Sequence, residues 1–154
     1  MDLKKKNDFI PKIIVLCCEN SAYRAADMAG TLKLSFPESI KIISFPCIGR
    51  VEEIHILHAL ENGADGVMVM GCLEDSCKFL DGDGRTKKKI IYLKKILSEI
   101  GIEDARVEFH NIAPNMGTKF VELVTEMNKK IKELGPLFKE DSNFKEESNL
   151  EKRY

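Results

Sequence analysis

Short apolar segments alternate with longer amphipathic segments along most of this sequence. The short segments are rich in residues that favour strands, and we place strands at 13–16, 40–45, 66–70 and 106–112. The segments between them have helical spacing of apolar residues, and we place helices at 21–34, 51–63, 86–101 and 116–136. Strands that alternate with helices form βαβ units, whose right-handed crossovers put helices on both faces of a parallel sheet. The sequence therefore predicts an α/β, flavodoxin-like fold with a four-stranded parallel sheet.

The bulk composition is typical of one globular domain. The chain has 154 residues, of which 44% are apolar, and this can supply a single core. We assign residues 1–136 to the domain and residues 137–154 to a charged C-terminal tail. The net charge of -1 gives no reason to expect nucleic acid or a membrane as a partner. No segment approaches the roughly 20 apolar residues of a membrane span, and no apolar signal core is present, so we expect a cytoplasmic protein.

Four of the five cysteines follow the predicted strands in a regular way. Cys18, Cys47 and Cys72 each come two residues after a short apolar run, and Cys77 follows Cys72 after four residues. Because the carboxyl ends of parallel strands share one rim of the sheet, we expect these thiols to converge there. An odd number of cysteines in a reducing compartment argues against structural disulfides. The pattern therefore favours a metal site over isolated core thiols.

The chemistry of four thiolates narrows the choice of metal. Soft sulfur ligands select zinc, copper(I) or iron–sulfur clusters. A chain with its own core does not need a zinc staple, so the pattern favours a redox cluster, and a zinc-stapled interaction module is an alternative. Cys18 is the expected ligand by alignment with Cys47 and Cys72. Cys17 is its alternate, because adjacent strand residues point to opposite faces. Arg50 lies close to the same rim and could balance cluster charge or contact a partner.

A second interpretation concerns Cys18-x5-Arg24, which follows the first strand. This spacing resembles low-molecular-weight tyrosine phosphatases and arsenate reductases, in which a loop of N–H groups cradles an oxyanion beside a thiolate nucleophile. Glu19 would put a carboxylate into that cradle, and Ala25 replaces the usual hydroxyl. No proline here follows an aspartate, so the Asp-Pro general acid is absent. The phosphatase interpretation also leaves three cysteines unexplained.

The motifs CCENSAYRAAD, PCIGRVE and ENGADGVMVMGCLEDSC together resemble the delta subunit of methyl-viologen-reducing hydrogenase. The similarity runs from about Lys12 to Pro136. This resemblance implies one [2Fe–2S] cluster held by Cys47, Cys72, Cys77 and one of Cys17 or Cys18.

The same resemblance implies an electron relay that is not a catalyst by itself. It implies transfer from a nickel–iron hydrogenase or a formate dehydrogenase to the flavin-containing subunit of a heterodisulfide reductase, in the flavin-based electron bifurcation of methanogenesis. The loop between Cys72 and Cys77 lacks the histidine that the family often carries there. Its Glu74 and Asp75 are expected to disfavour reduction through repulsion between like charges.

Overall fold

A single sheet of four parallel strands forms the centre of the protein, whose computed structural model describes residues 9–138. The strands are β1 (Ile13–Cys18), β2 (Ile40–Phe45), β3 (Gly66–Gly71) and β4 (Val107–Asn111). The helices are α1 (Ala22–Thr31), α2 (Glu53–Glu61), α3 (Gly82–Glu99) and α4 (Gly117–Leu134), with short 3₁₀ helices at Ile48–Arg50 and Asp104–Arg106. The strand order β2-β1-β3-β4 is that of a flavodoxin-like sheet, so the predicted fold class is confirmed.

The helices cover both faces of the sheet, and each face has its own apolar core. On one face, α1 and α4 pack on Val15, Cys17 and Met70. On the other face, α2 and α3 pack on residues that include Leu16 and Cys18. Because successive strand residues point to opposite faces, the two adjacent cysteines belong to different cores.

Several element boundaries differ from the sequence prediction. β1 continues through Cys18, because Cys17 pairs with both Ser44 and Met70 in the parallel ladders. The first helix ends at Thr31 instead of residue 34. Lys33 adopts a positive φ of 54° there, and the Leu34 N–H donates back to the Ala29 carbonyl.

The boundaries of the later helices also differ from the predicted ones. α2 begins two residues late because residues 48–50 form the separate 3₁₀ helix. α3 begins at Gly82, four residues earlier than predicted, so Gly82–Gly84 belongs to the first turn of this helix. The smaller differences in β4 and α4 are of one or two residues.

Arg106 ties three elements together at the amino end of the sheet. Its side chain is 2% exposed, and its Nη1 donates to the carbonyls of Asp65 and Gly135, both at 3.0 Å. Its Nε donates to the Glu103 carboxylate at 2.7 Å, which lowers the pKa of Glu103. The start of β3, the end of α4 and the approach to β4 therefore share one buried cation.

The folded unit includes the first residue of the predicted tail, 137–154. The Leu137 N–H donates to the Asp65 carboxylate at 3.1 Å, and the Lys12 N–H donates to the other oxygen at 2.9 Å. Residues 139–154 lie outside the described residues, so the tail stays a prediction. Every helix between residues 9 and 138 is too short or too polar to span a bilayer.

We expect Arg106→Ala to lower the free energy of unfolding by roughly 2–4 kcal/mol, because two buried carbonyls lose their donor and a buried side chain is removed. Arg24→Ala is the matched control, since Arg24 is exposed and its loss should change stability by no more than about 0.5 kcal/mol. Anaerobic urea unfolding followed by circular dichroism measures both. Equal stability of the two variants would contradict this role for Arg106.

Candidate metal centre

Four cysteines lie at the carboxyl rim of the sheet, as the sequence predicted. Cys18 is the last residue of β1, and Cys72 directly follows β3. Cys47 lies two residues beyond β2 and precedes the 3₁₀ helix, while Cys77 lies in the loop between β3 and α3. The expected alignment of Cys18 with Cys47 is wrong, because Cys18 lies opposite Phe45 in the ladder. The ladder pairs Ile13 with Ile40, so Cys47 lies two residues beyond the position opposite Cys18. Cys72 lies one residue beyond that position on the other side, because Cys17 pairs with Met70.

Cys18 and Cys72 form the first pair of thiols. Their sulfur atoms lie 3.6 Å apart, and both side chains are buried. Two thiolates on one tetrahedral metal ion, with metal–sulfur bonds of about 2.3 Å, lie about 3.7 Å apart. The separation in this pair therefore fits two ligands of one metal ion.

Cys47 and Cys77 form the second pair. Burial raises the pKa of the Cys47 thiol, the neighbouring Cys77 raises it further, and the Gly49 N–H, which donates to Cys47 Sγ at 3.4 Å, opposes both effects. Both sulfurs lie beside Gly82 at the start of α3. Among residues 9–138, no three or more His, Cys, Asp or Glu side chains are arranged to hold a single metal ion. The four thiols therefore form two pairs, Cys18 with Cys72 and Cys47 with Cys77.

The first turn of α3 lies beside the sulfur of Cys77. Burial raises the pKa of this thiol, but hydrogen bonds from the N–H groups of Phe79, Gly82 and Asp83 outweigh it, so its pKa is below the ordinary value. Two of these donors belong to the first turn of α3, whose N–H groups have no partners within the helix. The site therefore favours negative charge at Cys77.

Gly82 and Gly49 allow the two loops to approach closely. A Cβ atom at Gly82 would lie 2.6 Å from Cys47 Sγ and 3.3 Å from Cys77 Sγ. A Cβ atom at Gly49 would lie 2.8 Å from the Gly82 Cα. Sequence reasoning missed both residues, although two glycines just after the cysteine loop and one just after Cys47 were a usable signal for a crowded site.

Polar side chains tie the rim together around Cys72. Burial raises the pKa of the Cys72 thiol to about 11. The Asn111 amide donates to the Cys72 carbonyl and to the Asp83 carboxylate, and the Thr86 hydroxyl donates to the Ile48 carbonyl at 2.8 Å. These bonds join β4, α3 and the 3₁₀ helix around the thiols. Sequence reasoning did not select Asn111 or Thr86, because they bond to residues that are distant in the sequence.

Cys17 and Arg50 are not members of the two thiol pairs. Cys17 is fully buried on the opposite face of the sheet, where burial and then Cys18 raise its pKa to about 12. Of the two alternatives for the first ligand, Cys18 is therefore the one that faces Cys72. Arg50 ends the 3₁₀ helix that follows Cys47, and its side chain is exposed.

The residues of the phosphatase interpretation are not arranged for attack on a phosphate ester. Cys18 is 2% exposed and faces the Cys72 thiol, whereas Arg24 is exposed on α1. A nucleophilic thiolate needs access for its substrate and an anion clamp around the same oxyanion. The arrangement thus gives no support to the Cys18-x5-Arg24 interpretation.

The fold and the site together define a cysteine-rich α/β domain of flavodoxin-like topology. The family described as methyl-viologen-reducing hydrogenase, delta subunit, matches residues 13–135. The chain belongs to this family, so the predicted resemblance is confirmed.

Relatives of two kinds share this domain. An F420-non-reducing hydrogenase iron-sulfur subunit of Archaeoglobus profundus is 43% identical over 126 residues, which cover 82% of this chain and 92% of the relative. The vhu iron-sulfur subunit of the same kind of hydrogenase from Methanopyrus kandleri is 42% identical over 125 residues, with 81% and 95% covered. One subunit of the ferredoxin:CoB-CoM heterodisulfide reductase of Methanosarcina mazei is 34% identical over 127 residues, which cover 82% of this chain and 16% of that longer protein.

We expect iodoacetamide to modify Cys77 first and Cys17 last in protein that has been freed of metal by a chelator. Cys77 is half-buried with a lowered pKa, so it carries the largest thiolate fraction at neutral pH, whereas Cys17 is fully buried with a pKa of about 12. Peptide mass spectrometry over time at neutral pH measures the order. Modification of Cys17 as fast as Cys77 would show that the described packing is wrong.

Proposed function

We propose that this chain is an electron-transfer subunit that binds one [2Fe–2S] cluster through Cys18, Cys47, Cys72 and Cys77. The observation that carries the proposal is the meeting of these four thiols as two pairs at one rim of the sheet. The names of the hydrogenase relatives as iron-sulfur subunits support it.

The arrangement of the thiols suits a dinuclear cluster. Each iron of a [2Fe–2S] cluster takes two cysteine thiolates, and the two pairs supply one set each. When bound, the cluster would accept and release single electrons. N–H groups directed at Cys47 and Cys77 would stabilise the negative charge of the thiolates. We further propose that the exposed Arg50 lowers the negative potential at this rim.

The half-buried position of Cys77 indicates where electrons enter or leave. Cys18 and Cys72 are covered by α2, α3 and the sheet, whereas Cys77 lies in a loop with exposed neighbours. A partner that docks on this loop would approach the site most closely. The protein itself would exclude water from the other ligands.

The two kinds of relatives support a pair of partners. Relatives of one kind are hydrogenase subunits, and in the other kind the same domain forms part of a longer heterodisulfide reductase polypeptide. Fusion holds two domains at high effective concentration, so a separate domain with the same role must dock on its partner. We propose that this chain passes electrons from a hydrogenase or a formate dehydrogenase to the flavin-containing subunit of a heterodisulfide reductase, in the electron bifurcation of methanogenesis.

A cytoplasmic location fits this role. All five cysteines are free thiols, one of them half-buried, and such thiols persist in a reducing compartment. We therefore propose that the chain works in the cytoplasm together with these partners.

We expect anaerobically purified wild-type protein to contain about two irons and two sulfides per chain and to give the electron paramagnetic resonance signal of a reduced [2Fe–2S] centre after dithionite treatment. Cys47→Ser should lose most of the iron and the visible absorbance. Cys17→Ala is the matched control and should keep both, because Cys17 faces the opposite core.

Three results would contradict this assignment. Unchanged iron in Cys47→Ser would show that the site is wrongly placed. Loss of iron in a folded Cys17→Ala variant would make Cys17 the ligand in place of Cys18. Stoichiometric zinc without reversible bleaching would favour the zinc-stapled interaction module.

We expect the reduced protein, separated from excess reductant, to reduce the flavin of the heterodisulfide reductase from the same organism. Stopped-flow absorbance of the oxidised flavin after anaerobic mixing measures this transfer. Cys47→Ser, treated in the same way, should leave the flavin oxidised because it holds no cluster. Equal flavin reduction by both proteins would argue against a relay through these thiols.

A further inference from the structure

Leu80, in the loop that leads from Cys77 into α3, has a rare backbone conformation. Its φ is 70°, in the region that glycine favours, and the Asp81 N–H donates to the Phe79 carbonyl at 3.0 Å across it. A hydrogen bond that spans one residue of positive φ is the mark of the classic γ-turn, which is rare and strained. A leucine in this position therefore costs free energy that a glycine would not cost.

Packing within the chain gives no reason for this leucine. Leu80 is 89% exposed, more than any other large apolar residue among residues 9–138, and Phe79 beside it is 52% exposed. Single exposed apolar residues are ordinary on protein surfaces. A bulky residue at positive φ is not ordinary, and strain of this kind clusters at functional sites. The pair thus needs an explanation outside the packing of the chain itself.

The turn that presents Leu80 also holds Cys77. The Leu80 N–H donates to the Cys77 carbonyl at 3.1 Å, which closes a turn of four residues and keeps the two Cα atoms within about 7 Å of each other. Cys77 is the half-buried member of the four thiols, and α3 begins two residues after Leu80. A molecule that covers Leu80 therefore lies against the most accessible part of the candidate metal centre.

The charges next to this turn have both signs. Lys78 and Asp81 are exposed on either side of the two apolar residues, and Lys87 pairs with Glu74 at 3.5 Å. Such a mixture favours neither an acidic nor a basic partner surface. The apolar tip is therefore the feature by which a partner can recognise this loop, and apolar and aromatic side chains are typical of the buried centre of a protein interface.

We propose that Leu80, with Phe79 beside it, is the apolar anchor through which this chain docks on its electron-transfer partner, whose surface has an apolar pocket for the two side chains. This inference rests on the proposed function of the site. The partner is the proposed acceptor, the heterodisulfide reductase, since a relative of that kind contains the same domain within its own polypeptide. Docking on this anchor places Cys77 at the contact between the two proteins.

The strain at Leu80 separates a docking role from a structural one. If the leucine served the fold, its replacement would disturb the loop and release the metal. Glycine adopts a positive φ without strain, and asparagine tolerates it better than most residues. Leu80→Gly and Leu80→Asn should therefore remove the apolar side chain while the turn and the thiol site stay intact.

The test measures binding of the oxidised full chain, with its native cluster, to immobilised heterodisulfide reductase from the same organism under anaerobic conditions. Both Leu80 variants should raise the dissociation constant roughly 5- to 30-fold, as expected for an anchor residue, and Phe79→Ala should raise it in the same direction. In stopped-flow experiments, the reductase concentration that gives half the limiting rate of flavin reduction should rise by a similar factor, while the limiting rate stays unchanged.

Two measurements on the variants alone accompany the binding assay. Their iron content should match that of wild type. Leu80→Gly should unfold in urea at about the wild-type midpoint, because the relief of strain offsets the greater freedom of glycine in the unfolded chain.

Ile100→Asn is the matched control. Ile100 is 66% exposed and follows the last residue of α3, about 27 Å along the helix from Gly82. The change removes an apolar side chain of similar size far from the rim that holds the thiols. This variant should bind the reductase with the wild-type dissociation constant.

Four outcomes would overturn the inference alone. Wild-type binding by both Leu80 variants would show that the leucine is not an anchor, and loss of iron from the folded variants would show that it serves the thiol site itself. Equal weakening by Ile100→Asn would show that binding does not depend on this loop. A wild-type chain that carries its cluster but does not bind the reductase would have another partner. If the wild-type protein contains no iron and sulfide, the proposed function fails first, and the inference fails with it.

Discussion

The close approach of two backbone segments at Gly49 and Gly82 is the constraint on which the thiol site depends. The segment after β2 and the first turn of α3 meet so tightly that a side chain at either glycine would displace a sulfur or the opposing backbone. This contact places the sulfurs of Cys47 and Cys77 on either side of Gly82. Cys18 and Cys72 lie just beyond the last paired residues of the β1–β3 ladder, Cys17 and Met70, and their sulfurs are 3.6 Å apart. The site is therefore assembled from one pair set by the sheet and one pair set by the loops.

The electrostatics of the rim follow from the same geometry. Ionisation of the four thiols would concentrate negative charge, and no side-chain cation is buried among them in the described residues. Backbone N–H groups take the place of cations: that of Gly49 donates to the Cys47 sulfur, and hydrogen bonding by those of Phe79, Gly82 and Asp83 lowers the pKa of Cys77. Oriented N–H groups at a helix start are fixed in place and need no reorganisation when charge changes. Such an environment suits a site whose charge alternates by one electron.

The sequence predicted the sheet and the convergence of the thiols because both follow from local patterns. Alternating strands and helices define a parallel sheet, and cysteines at strand ends must then share a rim. The choice between Cys17 and Cys18 required knowing which face of the sheet each residue of β1 points to. That could not be read from the sequence, because the end of the strand was not known. The alignment of Cys47 failed because β1 pairs with β2 in a register, Ile13 opposite Ile40, that the apolar runs did not reveal. The parts played by Gly82 and Asn111 depend on contacts between distant segments, which no single window of sequence contains.

The two ends of the sheet have different roles: buried hydrogen bonds stabilise the amino end, and the proposed functional site lies at the carboxyl end. At the amino end, Arg106 and Asp65 fasten strands and α4 through buried hydrogen bonds. At the carboxyl end, the loops carry exposed ion pairs between Lys87 and Glu74 and between Lys89 and Glu52, which contribute little free energy. Metal binding supplies folding free energy to the residues that hold the metal. The buried hydrogen bonds of Arg106 and Asp65 do not involve the thiols, so we propose that a bound cluster would add order chiefly at the carboxyl rim.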